Sequence, residues 1–129
     1  MCKSTIENAD AIICCPSNPF VSIEPILSVT GMRKALLNIP SRVVVSPIVA
    51  GMAIKGPAAK MLQELKMPVT ALGVAQLYKG FASHFVLDFA DQSYRAEIEA
   101  LGMDVIVCHT IMKTEADKVA LAESILQYI

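Results

Sequence analysis

The residues best suited to chemistry follow short apolar runs. After the run at 11–15 (AIICC) comes 16–23 (PSNPFVSI), where Pro16 and Pro19 stiffen the chain around Ser17, Asn18 and Ser22. Hydroxyl and amide groups of this kind suit phosphate or sugar oxygens, and backbone amides near Ser22 add donors if a helix starts there. The same residues also make an ordinary turn, in which Ser and Asn bond to nearby backbone groups. Spacing alone leaves both readings open. The run at 42–46 (RVVVS) closes on Ser46, and after it come Pro47, then the small residues Ala50 and Gly51, then Lys55, Gly56, Pro57 and Lys60. Small residues let backbone approach a ligand, and lysines at a helix start favour anions. Taken singly, each lysine reads as solvated. Taken with the first loop, they favour a phosphate-bearing ligand.

Two carboxylates, Asp88 and Asp91, follow the run at 84–88 (HFVLD). Spaced three apart, they suit Mg²⁺ through oxygen ligands. The alternative is that Asp88 simply ends a strand and Asp91 caps the next helix. His109 and Thr110 follow 104–108 (DVIVC), where a histidine serves as a base, as a ligand, or as a loop residue with a local hydrogen bond. No Ser-His-Asp or Cys-His order is legible in the chain.

These groups need elements to hold them. The four runs are apolar at consecutive rather than alternate positions, as strands buried on both faces of a parallel sheet are. Helical patterns fill the gaps: 26–37, broken near Gly31; 57–66, opening on Pro57; 69–78, capped by Thr70; 91–101, stopped by Gly102; and 114–128, capped by Thr114. The order predicts one α/β domain over 1–129, a three-layer parallel sheet with flanking helices. Ligands of such sheets bind beyond the carboxyl ends of the strands, where all these polar residues fall. No glycine-rich turn follows the first strand, so the pattern suits the C-terminal half of a doubly wound, Rossmann-like fold.

Composition narrows the function further. The 129 residues are 54% hydrophobic with formal net charge −1. That apolar share supports a core, and the near-zero charge argues against a nucleic-acid or membrane-surface partner, both of which need a basic face. Residues 1–10 lack the apolar stretch of a secretory leader, and no apolar run reaches the roughly 20 residues of a spanning helix. A soluble, cytoplasmic protein is expected. Cys2, Cys14, Cys15 and Cys108 form no CxxC pair and have no metal spacing to His84 or His109, so they read as free thiols of a reducing compartment.

Residues 9–23 (ADAIICCPSNPFVSI), followed by Pro25 to Val29 and Gly31-Met32-Arg33, resemble the 2-phospho-L-lactate transferase family. Val45 to Val49, Lys55 to Ala58, Ala71 to Ala75 and Thr110-Ile111-Met112 continue the likeness in family order. The resemblance implies transfer of 2-phospholactate (or a phosphoenolpyruvate-type group) from a guanylyl-activated donor to a deazaflavin alcohol. GMP is released and Mg²⁺ assists, in biosynthesis of coenzyme F-420. It also implies that Ser17, Asn18, Pro19 and Ser22 line the substrate site, that Ser46, Lys55 and Gly56 shape it, and that Asp88 and Asp91 are the metal candidates. Two positions depart from the family pattern: His109 stands where an aspartate is expected, and Glu24 where glycine is common. The family's N-terminal strand and glycine-rich turn find no counterpart here. The expectation is therefore a partial transferase that self-associates or takes a partner chain supplying the missing half; a non-catalytic binding or assembly subunit and an inactive remnant are the alternatives.

Overall fold

A computed structural model describes residues 2–53 and 56–129. Helix α1 (Cys2–Glu7) leads into strand β1 (Ala11–Cys14), a π-helical turn (Pro19–Ile23), and helices α2 (Glu24–Leu27) and α3 (Met32–Leu37). Strand β2 (Ser41–Val45) runs into a small hairpin, β3 (Ile48–Val49) and β4 (Met52–Ala53), then helices α4 (Ala58–Glu64) and α5 (Ala71–Leu77). The remainder is β5 (His84–Asp88), a 3₁₀ turn (Phe89–Tyr94), α6 (Arg95–Glu99), β6 (Asp104–Cys108) and α7 (Glu115–Leu126).

Four strands form one parallel sheet in the order β1-β2-β5-β6, with Ala11 opposite Ser41, Val43 opposite His84, and His84 opposite Asp104. This is the expected α/β architecture with a Rossmann-like arrangement. Alternate residues of each strand point to opposite faces. One face, carrying Val44, Phe85, Leu87 and Val105, packs against Leu27, Leu36, Leu62, Val74 and Ile98 of the helices α2 to α6. On the other, Val43, Val45, Val86 and Ile106 meet Leu121 and Ile125 of α7.

The expectation of strands buried on both faces holds for β2, β5 and β6 but not for β1. Ile13 lies on the α7 side of the sheet and is 40% exposed, because α7 crosses the other strands and no described helix covers β1 there. The helix expected over 26–37 is two helices, α2 and α3, parted where Gly31 takes φ +81°. Left-handed backbone of that kind suits glycine, as the sequence reading supposed.

Three local devices set the frame. Arg42, on β2, donates from its guanidinium to the carbonyls of Phe81 and Ile39, tying two loops at the amino end of the sheet. Thr70 caps α5 by accepting from the Gly73 amide at 3.1 Å. Gly73 itself lies where a Cβ would come within 2.0 Å of the Pro68 carbonyl oxygen, so the close approach of α5 to the preceding turn demands glycine. Helix α7 opens with a reciprocal capping box, Thr114 accepting from the Asp117 amide and Asp117 from the Thr114 amide.

Candidate functional site

Because all four strands run parallel, the loops after β1, β2, β5 and β6 share one edge of the sheet. The first of these is the best organised. Asn18 is buried, and its Oδ1 accepts from the amides of Phe20 (2.8 Å) and Val21 (3.2 Å), capping the π-helical turn; its Nδ2 donates to the Met61 thioether at 3.4 Å. Pro19 is buried beside it, Ser17 is half-buried and Ser22 is exposed. The turn-forming role weighed for Asn18 is therefore present. A thioether is a weak acceptor, so the amide group has donor capacity left that a ligand oxygen would use better.

A cavity of about 210 Å³ adjoins this loop, lined by Pro19, Phe20, Ile23, Glu24, Arg33 and Tyr78 among others. Glu24 is met here by Arg33, whose guanidinium lies 3.5 Å away and stacks 5.7 Å from the centre of the Phe81 ring. Both side chains are about half exposed, so the pair adds little stability. Burial pushes the Tyr78 hydroxyl well above its ordinary range, and Cys14 and Glu24 push it the same way. Burial, then the neighbouring Cys15, also raises the Cys14 thiol, which disfavours the reactive thiolate.

In the second loop Ser46 is fully buried, its hydroxyl donating to the Ile48 carbonyl at 2.9 Å and accepting from the Ile48 amide at 3.2 Å. It shapes the entry to the hairpin and offers no exposed surface to a ligand. Gly56 is exposed, with φ +77°. Lys55 lies outside the described residues.

At the third loop the two carboxylates have separate tasks. Asp88 Oδ1 accepts from the Thr110 amide (2.9 Å) and its hydroxyl (3.4 Å), and Oδ2 from the Ala90 amide (3.0 Å). Burial would raise this carboxyl, but the donors from Thr110 and Ala90 outweigh it together and hold Asp88 below its usual value. Asp91 is 3% exposed, and both of its oxygens face the Ala50 amide, at 3.2 and 3.1 Å. Here burial prevails over that hydrogen bond and, with the charge of Asp88, raises the carboxyl. The alternative that Asp91 caps the following helix is corrected: the strand ends at Asp88 as its pattern suggested, but a 3₁₀ turn begins at once with Phe89, so Asp88 is its cap and Asp91 lies inside it.

Around Asp88 lies a cavity of about 330 Å³, lined also by His109, Ile111, Lys113 and Asp117. His109 packs edge-on against Phe89, ring centres 4.7 Å apart. Among the described residues no group of three or more His, Cys, Asp or Glu side chains converges as a metal cage. Asp88 has its unused lone pairs beside this cavity, which fits a magnesium ion held by one or two carboxylates together with substrate phosphates and water. Asp91 is already committed to Ala50.

The structure thus brings Ser17, Asn18, Pro19 and Ser22 into one loop, and places Gly56 and Asp88 on the same edge of the sheet. Sequence reasoning missed the contacts of Met61 with Asn18, of Thr110 with Asp88 and of Ala50 with Asp91. Only the second had a readable signal, since aligning the two strands in parallel register sets Asp88 opposite Cys108, two residues before Thr110.

A four-stranded parallel sheet flanked by helices, with polar loops gathered at its carboxyl edge, defines an α/β fold of Rossmann-like arrangement. The model of the family 2-phospho-L-lactate transferase CofD matches residues 2–125, and the chain belongs to that family. It is 42% identical over 123 residues to a 2-phospho-L-lactate transferase of Methanocaldococcus jannaschii, covering 95% of this chain and 38% of that protein. Proteins of the same name from Methanococcus maripaludis and Methanothermobacter thermautotrophicus are 40% and 36% identical, over 95% and 94% of this chain and 38% and 39% of theirs. The chain therefore spans little more than a third of the length of these relatives, in their C-terminal region. No helix among the described residues is long and apolar enough to cross a membrane.

Proposed function

We propose that this chain forms part of the substrate site of a 2-phospho-L-lactate transferase. The observation that supports the reading most is the family match running through all four strands and the loops on their shared edge. In the reaction implied, the hydroxyl oxygen of a deazaflavin alcohol bonds to the phosphorus of a guanylyl-activated phospholactate. The bridging P–O bond breaks, GMP leaves with that oxygen, and the alcohol proton passes to solvent or a base. Such chemistry rests on positioning and charge stabilisation. The Asn18 amide and the hydroxyls of Ser17 and Ser22 would hold donor or deazaflavin oxygens, and Gly56, with Lys55 as the family resemblance implies, would help shape the site. Asp88 would supply an oxygen to Mg²⁺, whose part is to offset phosphate charge.

Among the described residues no strand pairs with the outer edge of β1, and Ile13 is exposed beside it, which favours further structure against this sheet, either a second copy or the family's N-terminal part. The test supplies the purified chain with deazaflavin alcohol, activated phospholactate and Mg²⁺, with and without the N-terminal part of a relative. Product in the mixture alone supports the reading; product from the chain alone supports the transfer but overturns the need for that partner. No product in either sample, and no deazaflavin binding by calorimetry, overturns the reading.

A further inference from the structure

The β3–β4 hairpin turns on two residues, Ala50 and Gly51, and both have positive φ, +50° and +78°. Turns of this mirror type match the twist of a hairpin, but they want glycine, asparagine or aspartate first, and here the first position is alanine. The hairpin closes with Val49 opposite Met52, so its own pairing leaves the Ala50 amide without a partner. That amide is met from outside, by both oxygens of Asp91, forty-one residues later in the chain.

We propose that Asp91 is a positioning residue: its carboxylate pegs the Ala50 turn and so fixes the β3–β4 hairpin at the carboxyl edge of the sheet. Three observations carry it. Asp91 is 3% exposed, and a carboxylate so buried is retained only where a donor answers it. It sits in the 3₁₀ turn that continues β5, in the centre of the sheet, so the peg is anchored to the most buried part of the fold. And the hairpin it holds lies in the chain between β2 and α4, whose Met61 touches Asn18 of the candidate site. The inference concerns the frame at the carboxyl edge of the sheet and stands whichever reaction the site performs.

Amide hydrogen exchange on the ¹⁵N-labelled chain tests it. In the unaltered protein the Ala50 amide is expected to exchange at least tenfold more slowly than a free peptide amide, since a hydrogen bond to an ionised group is worth about one to two powers of ten. Asp91→Ala is expected to remove that protection while the amides of Phe85 and Ile106 keep theirs, and Asp91→Asn, which retains an acceptor oxygen, to restore part of it. An unprotected Ala50 in the unaltered chain overturns the peg without need of any variant. So does an Ala50 that stays protected in a folded Asp91→Ala. If Asp91→Ala fails to fold, the unaltered chain and Asp91→Asn decide: protection in both supports the peg, and its absence from the unaltered chain overturns it.

Discussion

Replacing Asn18 by alanine separates the structural work of the signature loop from its ligand work. The substitution deletes an oxygen that satisfies two backbone amides, those of Phe20 and Val21. Loss of a helix cap costs about 1–2 kcal/mol. One further donor left partly buried adds about 1 kcal/mol, the low end of the penalty for an unmet group. The weak bond to Met61 is neglected, so Asn18→Ala is expected to destabilise the chain by roughly 2–3 kcal/mol. For a domain of this size that lowers Tm by about 10 °C. Asn18→Asp keeps the capping oxygen, since aspartate caps as well as asparagine, but removes the amide donor. Urea and thermal unfolding of the three proteins, beside calorimetric titration with the deazaflavin alcohol, give the answer. Asp is expected to hold stability near that of the unaltered chain while weakening ligand binding, whereas Ala loses both. Unchanged stability in Asn18→Ala would refute the capping argument. Unchanged affinity in Asn18→Asp would remove Asn18 from the ligand site.

Gly73→Ala is expected to cost about 1–3 kcal/mol by denaturant unfolding, because the added methyl must displace the Pro68 carbonyl backbone; a change under 0.5 kcal/mol would contradict the geometry. Thr114→Ala removes the cap of α7 and is expected to cost about 1 kcal/mol by the same measurement. Asp88 is held below its usual value, so the unfolded chain takes up its proton first as acid is added. Its stabilisation is full above the ordinary aspartate pKa and fades as pH falls from there through the folded value. Asp88→Asn should therefore flatten this part of the stability–pH curve. Asp91 has the opposite sign: its raised carboxyl makes the folded chain take up the proton first, so its contribution improves as pH falls through the folded value toward the unfolded one. Asp91→Asn should accordingly steepen the acid loss, read by urea midpoints across the carboxylate range.

The four sheet strands were legible because each holds a run of three to five consecutive apolar residues ended by a proline or a polar group. The caps were legible too: Thr70 and Thr114 both accept the amide three residues on, as a hydroxyl before a helical pattern suggests. What escaped was structure too short to carry a period. The strands of the β3–β4 hairpin have two residues each, and the π-helical turn at Pro19–Ile23 reads as a loop because Pro19 interrupts any pattern. At the candidate site, residue types singled out loops that the fold gathers on one edge of the sheet, but the partners could not be read. Ala50 shows nothing in its type that marks it as the donor to Asp91, and Ser46, chosen for its hydroxyl, spends that hydroxyl on its own turn.

The order of the strands has a kinetic consequence. Within the four-stranded sheet each strand pairs with the next strand of that sheet, and the connections span 30 residues from Ala11 to Ser41, 41 from Val43 to His84 and 20 from His84 to Asp104. Doubling a loop adds only about 0.6 kcal/mol to its closure, so these lengths favour β5–β6 as the first pair by a modest margin. Packing then widens the gap, since β5 and β6 are covered on both faces while β1 is covered on one. The sheet should thus grow outward from the β5–α6–β6 unit, and the strand that delivers Asn18 to the site should be the last to dock and the first to fray.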